Sequence, residues 1–120
     1  MMLEGIDMRR SGAREEGTAR IREVNDEFRK TMSGRLVMVT AGVRDCGFAT
    51  EVIDAVRAFE DFTPGNDPYG EHDFGSICVR AEKFFWKVDY LDRELRFHSE
   101  NKANPSNTTR VLTIMRAEEY

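Results

Sequence analysis

The sequence lacks the segments and motifs that would assign it to most large functional classes. No run of about 18 apolar residues is present, and the N-terminus has no charged start followed by an apolar stretch. It contains no glycine-rich phosphate loop, no HExxH motif and no Gly-x-Ser-x-Gly motif. We therefore expect a cytoplasmic protein that has neither a membrane-spanning helix nor a recognisable catalytic signature.

Cysteine is almost absent. Cys46 and Cys78 lie too far apart in sequence to form a CxxC motif, and in a reducing compartment we expect both to be free thiols. Of the residues next to Cys46, Arg44 alone could favour a thiolate, so a cysteine nucleophile is not indicated.

A basic surface is also missing. Asp and Glu number 22 against 18 Lys and Arg, which gives a net charge of −4, and the pI is near 5.3. A nucleic-acid-binding domain is usually basic, so no direct nucleic-acid binding is predicted. The length of 120 residues, 40% of them hydrophobic, suits one modest core. We predict a mobile arm at residues 1–16, where no periodicity is visible, and a single domain at residues 17–120.

Two segments have the apolar spacing of amphipathic helices. Thr18 and Thr50 suit the N-cap positions, Gly34 suits the end of the first helix, and Pro64 limits the second. The two apolar stripes, which we expect to face the core, consist of Ile21, Val24, Phe28 and Met32 in the first helix and Val52, Ile53, Val56 and Phe59 in the second.

Other segments have the composition of strands. Residues 36–39 are apolar without alternation, which predicts a strand covered on both faces. Residues 74–90 predict a hairpin that turns at Ala81-Glu82, and residues 95–98 a further strand. The β-branched run at residues 109–116 favours a strand, although its spacing also fits a helix. The prediction is an α+β fold with a mostly antiparallel sheet of four or five strands and two helices packed on one face.

The predicted hairpin separates its side chains onto two faces. One face is apolar and is expected to join the core, whereas the other is half polar, so that it is either partly covered or used for contact. The first face consists of Ile77, Val79, Phe84, Trp86 and Val88, and the second of Phe74, Ser76, Cys78, Phe85, Lys87 and Asp89.

The segment at residues 66–75 combines a turn with the triplet Glu71-His72-Asp73. A histidine beside carboxylates can serve as a general base. Together with Lys87 and Asp89, the triplet would form a small hydrolase or nuclease that uses Mg²⁺ or Mn²⁺, with Glu71, His72 and Asp89 as weak metal-ligand candidates. The competing interpretation is a capped turn in which His72 is a hydrogen-bonded rim residue.

Residues 58–79 contain no lysine or arginine but several carboxylates. Such a segment can bind a basic partner, or it can be a solvated face. The leading prediction is a protein-interaction module that is not an enzyme and has no cofactor. A homodimer is the alternative if the half-polar hairpin face is buried against a second copy. The predicted contact residues are Glu60, Asp61, Asp67, Tyr69, Glu71, His72 and Asp73.

From Arg20 to the end, the chain resembles domain-of-unknown-function family 3768, a small proteobacterial family. It departs from the family at the hairpin turn, where an Asp-Gly turn is expected, and at residues 98–105, where the family has Gly-Ser followed by Asp/Pro repeats. The motifs that carry the resemblance are Ile21-Arg22, Asn25-Asp26, Phe28-Arg29, Thr40-Ala41-Gly42-Val43, the run from Asn66 to Gly75, the run from Phe85 to Tyr90, the run from Thr109 to Met115, and Glu119-Tyr120.

The resemblance implies a genetic setting rather than an activity. Genes of this family resemble cargo of plasmids, integrative elements and phages, and small acidic cytosolic proteins from that setting are often inhibitors of host defence. The implied partner is therefore another protein, such as a CRISPR effector or a restriction enzyme. This inference rests on analogy and not on a site.

Overall fold

A computed structural model describes residues 2–32, 36–95, 98–99 and 101–120, with the side chains of the first helix described from residue 16 onward. The sheet has the strand order β1-β4-β3-β2, and every neighbouring pair is antiparallel except β1 and β4. This architecture confirms the predicted α+β fold. The elements are α1 (Met2–Thr31), β1 (Val37–Val39), α2 (Ala41–Arg44), α3 (Ala49–Arg57), β2 (Phe74–Val79), β3 (Glu82–Leu91), β4 (Thr109–Arg116) and a 3-10 turn (Ala117–Glu119).

The first helix differs from its prediction at both ends. It begins at Met2 rather than behind Thr18, because the arginines and glutamates that precede Thr18 are good helix formers and no proline interrupts them. It ends where Met32 adopts a left-handed φ of 48° and donates its N–H to the carbonyl oxygen of Phe28 at 2.8 Å. The predicted stop at Gly34 lies outside the described residues, and the division into residues 1–16 and 17–120 stays a prediction.

The inward face of α1 is more polar than its apolar stripe suggested. Its fully buried residues are Asn25 and Arg29, one helical turn apart, whereas Ile21, Phe28 and Met32 are partly buried against the core. The stripe therefore borders the core, and the deepest positions of the described part of this helix carry hydrogen-bonding groups.

Strand β1 is an edge strand, and the prediction that both its faces are covered was wrong, because adjacent residues on its two faces are exposed. It pairs with β4 along one side, and Met38 and Val39 are exposed. A short apolar run has the same composition at an edge as in the centre of a sheet, which is why the sequence did not distinguish them. The short helix α2 that follows was not predicted.

The second predicted helix is α3. It begins at Ala49, next to the predicted cap Thr50, and its stripe is confirmed by Val52 and Val56, which are fully buried. Phe59 is also buried but lies beyond the helix end. Together α1 and α3 cover one face of the sheet.

The hairpin of β2 and β3 turns at Arg80-Ala81, one residue before the predicted turn. Both residues have positive φ, 52° and 66°, as a two-residue hairpin turn requires. Moving the turn by one residue shifts each pairing partner by two positions, so that Ile77 pairs with Phe84 and the two predicted faces are unchanged.

The last two strand predictions have different outcomes. The run at residues 109–116 is strand β4, which lies between β1 and β3. In the segment at residues 95–98, Leu95 has a φ of 62°, and His98 forms only an isolated bridge to Leu91. These two residues are therefore not part of a regular strand. The rest of that segment, residues 96–97, lies outside the described residues.

The described chain has two further general features. Cys46 and Cys78 are free thiols. None of the described helices has the length and apolar composition that crossing a membrane requires.

Candidate functional site

The connection between α3 and β2, residues 60–73, folds over the second half of α1; we call it the His72 loop. Three hydrogen bonds fix its backbone at residues 70, 71 and 73. Arg22 Nε donates to the carbonyl oxygen of Gly70 at 2.7 Å. Asn25 Nδ2 donates to that of Glu71 at 2.9 Å, and the backbone N–H of Val88 donates to that of Asp73 at 2.8 Å. The loop thus has a defined position although it contains no helix or strand.

A buried arginine fixes the start of this loop. Arg29 is 1% exposed, and its guanidinium lies 5.2 Å from the ring centres of both Phe62 and Trp86. One of its nitrogens, Nη2, donates to the carbonyl oxygen of Phe59 at 3.0 Å, and Nη1 binds Asp26 Oδ1 at 3.0 Å. The buried charge is therefore compensated by a carboxylate and by two aromatic faces.

His72 lies between two carboxylates. Its Nδ1 is 2.8 Å from Asp26 Oδ1, and its Nε2 is 3.5 Å from Asp67 Oδ2. Its ring is parallel to that of Phe62, with the centres 3.6 Å apart. Because both ring nitrogens face protein carboxylates, neither is presented to a substrate in this arrangement, and the imidazole connects the loop to α1.

A second set of contacts surrounds the hydroxyl of Tyr90. This hydroxyl donates to Asp73 Oδ2 at 3.0 Å and accepts from Asn25 Nδ2 at 2.7 Å. The Oδ1 atom of Asn25 accepts from Arg110 Nε at 2.6 Å. Burial, together with the negative charge of Asp73, raises the pKa of Tyr90 well above its usual range, so the phenol stays a neutral donor.

The structure divides the predicted contact residues into two groups. Glu60, Asp61 and Tyr69 are exposed, and Tyr69 is 80% exposed. The other four point into contacts that fix the loop: Asp67 and His72 contact each other, Glu71 pairs with Lys102 at 3.6 Å, and Asp73 accepts from Tyr90.

Lys87 and Asp89 lie away from this site. Their side chains pair with each other, Nζ to Oδ2 at 3.1 Å. Side chains alternate along β3, so these two point to the opposite face from buried Trp86 and Tyr90. The structure therefore does not bring Asp89 to His72. Among the residues that the structure describes, no three His, Cys, Asp or Glu side chains are placed to hold a metal ion.

The half-polar face of the hairpin is covered in part by the end of the chain itself. The ring of Tyr120 packs edge-on against Phe74 and Phe85, with centres 5.8 and 5.4 Å apart. Of the residues predicted for this face, Phe74 and Phe85 thus belong to a small aromatic cluster, and Lys87 and Asp89 form a partly exposed ion pair. The other two, Ser76 and Cys78, are exposed.

Glu119 joins two distant motifs of the sequence. Its carboxylate accepts from Thr40 Oγ1 at 2.7 Å and from the backbone N–H groups of Arg116 at 2.8 Å and Gly42 at 3.2 Å. These hydrogen bonds, that from Thr40 first, lower the pKa of Glu119. A Cβ atom on Gly42 would lie 2.3 Å from Glu119 Oε1, so a larger residue there would displace this carboxylate.

A cleft of about 370 Å³ opens beside the His72 loop. Its walls combine proline, aromatic and charged residues, including Arg22, Phe62, Pro64, Pro68, Tyr69 and His72. The residues of α1 that build this region were not among the predicted site residues. The Asn25-Asp26 and Phe28-Arg29 pairs were visible as motifs, but no local signal connects them to a loop that follows about 45 positions later.

Comparison with known proteins gives one match. The model of a family described as "Protein of unknown function (DUF3768)" matches residues 34–119, which include the whole sheet and the His72 loop. No curated protein and no solved structure matches the chain.

Proposed function

We propose that this chain, which belongs to the DUF3768 family of proteins of unknown function, is an interaction module that binds another protein through its His72 loop. The observation that carries the proposal is Tyr69, which is 80% exposed on a loop fixed by the buried residues Asn25 and Arg29. An aromatic side chain on a preorganised loop loses little conformational entropy on binding, and tyrosine is enriched at binding hot spots.

The chemistry around Tyr69 defines the partner. Glu60 and Asp61 are exposed on the same loop, and the segment from residue 58 to residue 79 contains no lysine or arginine. The adjacent cleft presents Pro64 and Pro68. A complementary surface would carry basic side chains next to an apolar side chain that enters the cleft.

As a narrower proposal, the partner is a host defence complex, such as a CRISPR effector or a restriction enzyme, in the cytosol. The resemblance to a family associated with mobile genetic elements supports this choice. The free thiols of Cys46 and Cys78 are in keeping with a reducing compartment. The alternative of a metal-dependent hydrolase would need Lys87 and Asp89 beside His72, and the described geometry favours the binding role.

The test compares loop variants with a matched surface variant. Cross-linking and affinity purification would be carried out with the wild type, Tyr69→Ala, and Glu60→Lys with Asp61→Lys. Tyr120→Ala is the control, since Tyr120 is 75% exposed but lies on the other face of the sheet. We expect the two loop variants to lose a partner that the wild type and the control retain, at unchanged melting temperature.

A functional assay addresses the narrower proposal. Phage plating efficiency would be measured in a host with an active CRISPR or restriction system that expresses the wild type or Tyr69→Ala. Relief of defence by the wild type and loss of relief in the variant are expected.

In the affinity purification, equal recovery of the partner by all variants would contradict the use of the His72 loop.

A further inference from the structure

The sheet has a second face, opposite the one against which the helices pack; we call it the outer face. In the part of the chain that the structure describes, α1, α2 and α3 all contribute to the core on the other face, where Trp86 and Tyr90 are buried. The strand pairings place a continuous row of side chains across the outer face. From β1 to β2, this row consists of Met38, Thr113, Lys87 and Phe74.

Apolar groups of the outer face remain in contact with water. Met38 is 55% exposed, and Tyr120 is 75% exposed although its ring packs against Phe74 and Phe85. The rings of Phe74 and Phe85 are themselves half-buried. Aromatic and aliphatic side chains that lie together on an open surface are typical of a face that packs against another protein surface.

The charges of the outer face show which surface would fit it. The four strands direct three charged side chains outward, those of Lys83, Lys87 and Asp89, whereas the whole chain has a net charge of −4. Lys87 Nζ and Asp89 Oδ2 lie 3.1 Å apart, and both side chains are partly exposed. A cation and an anion placed side by side form a self-complementary pattern, which is what an interface between two identical copies requires.

A two-fold axis that crosses β3 between these two residues uses this pattern fully. The two copies of β3 then run antiparallel, and Lys87 of each copy lies opposite Asp89 of the partner subunit. Side chains alternate along a strand, so the same axis places Phe85 opposite Leu91 of the partner subunit, both being half-buried outward residues of the single chain. Charge pairing at the centre is thus combined with apolar contact on either side of it.

The size of the outer face determines the strength of such an interface. Its strands have 3, 8, 10 and 6 residues. At about 4.8 Å between strands and about 3.3 Å per residue, they cover a flat area of about 430 Å². Side chains make the accessible surface larger than the flat area, so two copies together would bury about 1,000 Å², the lower limit for a specific interface. We therefore expect a weak dimer that dissociates in the micromolar range.

We propose that the chain forms a symmetric homodimer in which the outer faces of two copies pack together about an axis between Lys87 and Asp89. A homodimer is also the alternative that the half-polar hairpin face indicated in the sequence. The His72 loop folds over α1 on the opposite side of the sheet and stays free in this dimer. The homodimer and the protein partner of the His72 loop therefore use different surfaces, and either proposal can fail without the other.

The experiment is sedimentation velocity of the full chain at concentrations from micromolar to several hundred micromolar. We expect the wild type to change from monomer to dimer as its concentration rises, by mass action. Lys87→Glu and Asp89→Lys each place like charges opposite one another at the axis, so each variant alone should dimerise at least about tenfold more weakly. An equimolar mixture of the two variants should dimerise again, because two negative charges then face two positive ones.

Controls separate the interface from folding and from the His72 loop. Positions 87 and 89 are partly exposed, and the melting temperature of each variant shows whether it is folded. Tyr69→Ala should dimerise as the wild type does, because Tyr69 lies on the His72 loop. A wild type that stays monomeric would overturn the proposal and leave the outer face to a different protein. Single variants that dimerise like the wild type, or a mixture that stays monomeric, would overturn it as well.

Discussion

The Oδ1 atom of Asp26 lies 2.8 Å from Nδ1 of His72, and the backbone of His72 has a left-handed φ of 56°. The same oxygen, Oδ1, binds Arg29 Nη1 at 3.0 Å. One carboxylate on α1 thus stabilises both a buried guanidinium and an unfavourable loop conformation, although the helix and the loop are far apart in the sequence.

Replacing Asp26 should be costly for this reason. Asp26→Asn leaves the guanidinium of Arg29 without its counter-charge and weakens the contact to His72. Loss of one partner of a buried pair usually costs about 3–5 kcal/mol, and because Asp26 is partly exposed we expect about 2 kcal/mol. Urea unfolding of the wild type and of the Asp26→Asn variant measures this loss of stability. Asp45→Asn, which breaks an exposed pair with Arg44, is the matched control and should have little effect; equal effects would contradict the role of Asp26.

At position 72, a glycine variant should be more stable than an alanine variant, which reverses the usual order of these two residues. At a φ of 56° a Cβ atom is unfavourable, so we expect His72→Gly to be more stable than His72→Ala by about 1 kcal/mol. Asp54, an exposed position within α3, is the comparison, and there alanine should be the more stable by about 1 kcal/mol. If alanine were the more stable at both positions, the loop backbone would differ from that described.

Tyr90 should make the fold sensitive to alkaline pH. Its pKa is raised in the folded state, so its contribution to stability is fully present below about pH 10, where an unfolded tyrosine is neutral, and decreases as the pH rises above that value. Urea midpoints between pH 8 and 11 measure the decrease. Tyr90→Phe should be less stable than the wild type at pH 8 but should have a flatter profile; an equally steep profile in this variant would contradict the role of Tyr90.

Glu119 should have the opposite pH dependence. Its pKa is lowered by hydrogen bonds from Thr40 and the backbone of Arg116, so its contribution is present above about pH 4.5 and is lost as the pH falls through the lower folded value. Glu119→Gln should reduce the loss of stability between pH 5 and 3. Gly42→Ala displaces the same carboxylate, so the effects of the two changes should not add; simple addition would show that they act separately.

Local patterns were sufficient for part of this fold. Val52 and Val56 marked the inner face of α3 by their spacing, and β-branched residues marked β4. The hairpin faces were predicted correctly despite a misplaced turn, because a one-residue error in a hairpin turn moves partners by two and leaves the alternation unchanged.

The site itself depends on contacts that no local pattern contains. Asp26 and His72 are 46 positions apart, and Asn25 and Arg110 are 85 positions apart. The sequence indicated the loop through its titratable residues, but it did not show that three of its carboxylates face inward. Nor did it show that β1 lies at the edge of the sheet, since Met38 and Val39 are apolar residues of the kind that is usually buried, yet both are exposed.

The parallel pairing of β1 and β4 has a kinetic consequence. Val37 lies opposite Leu112, which is 112 − 37 = 75 positions later in the chain. On a ribosome, β1 emerges long before the strand against which it pairs, and closing so large a loop is slow compared with forming the β2–β3 hairpin. We expect β1 to join the sheet last, once β4 is available to pair with it, and its amides to exchange with solvent hydrogen sooner than those of β3.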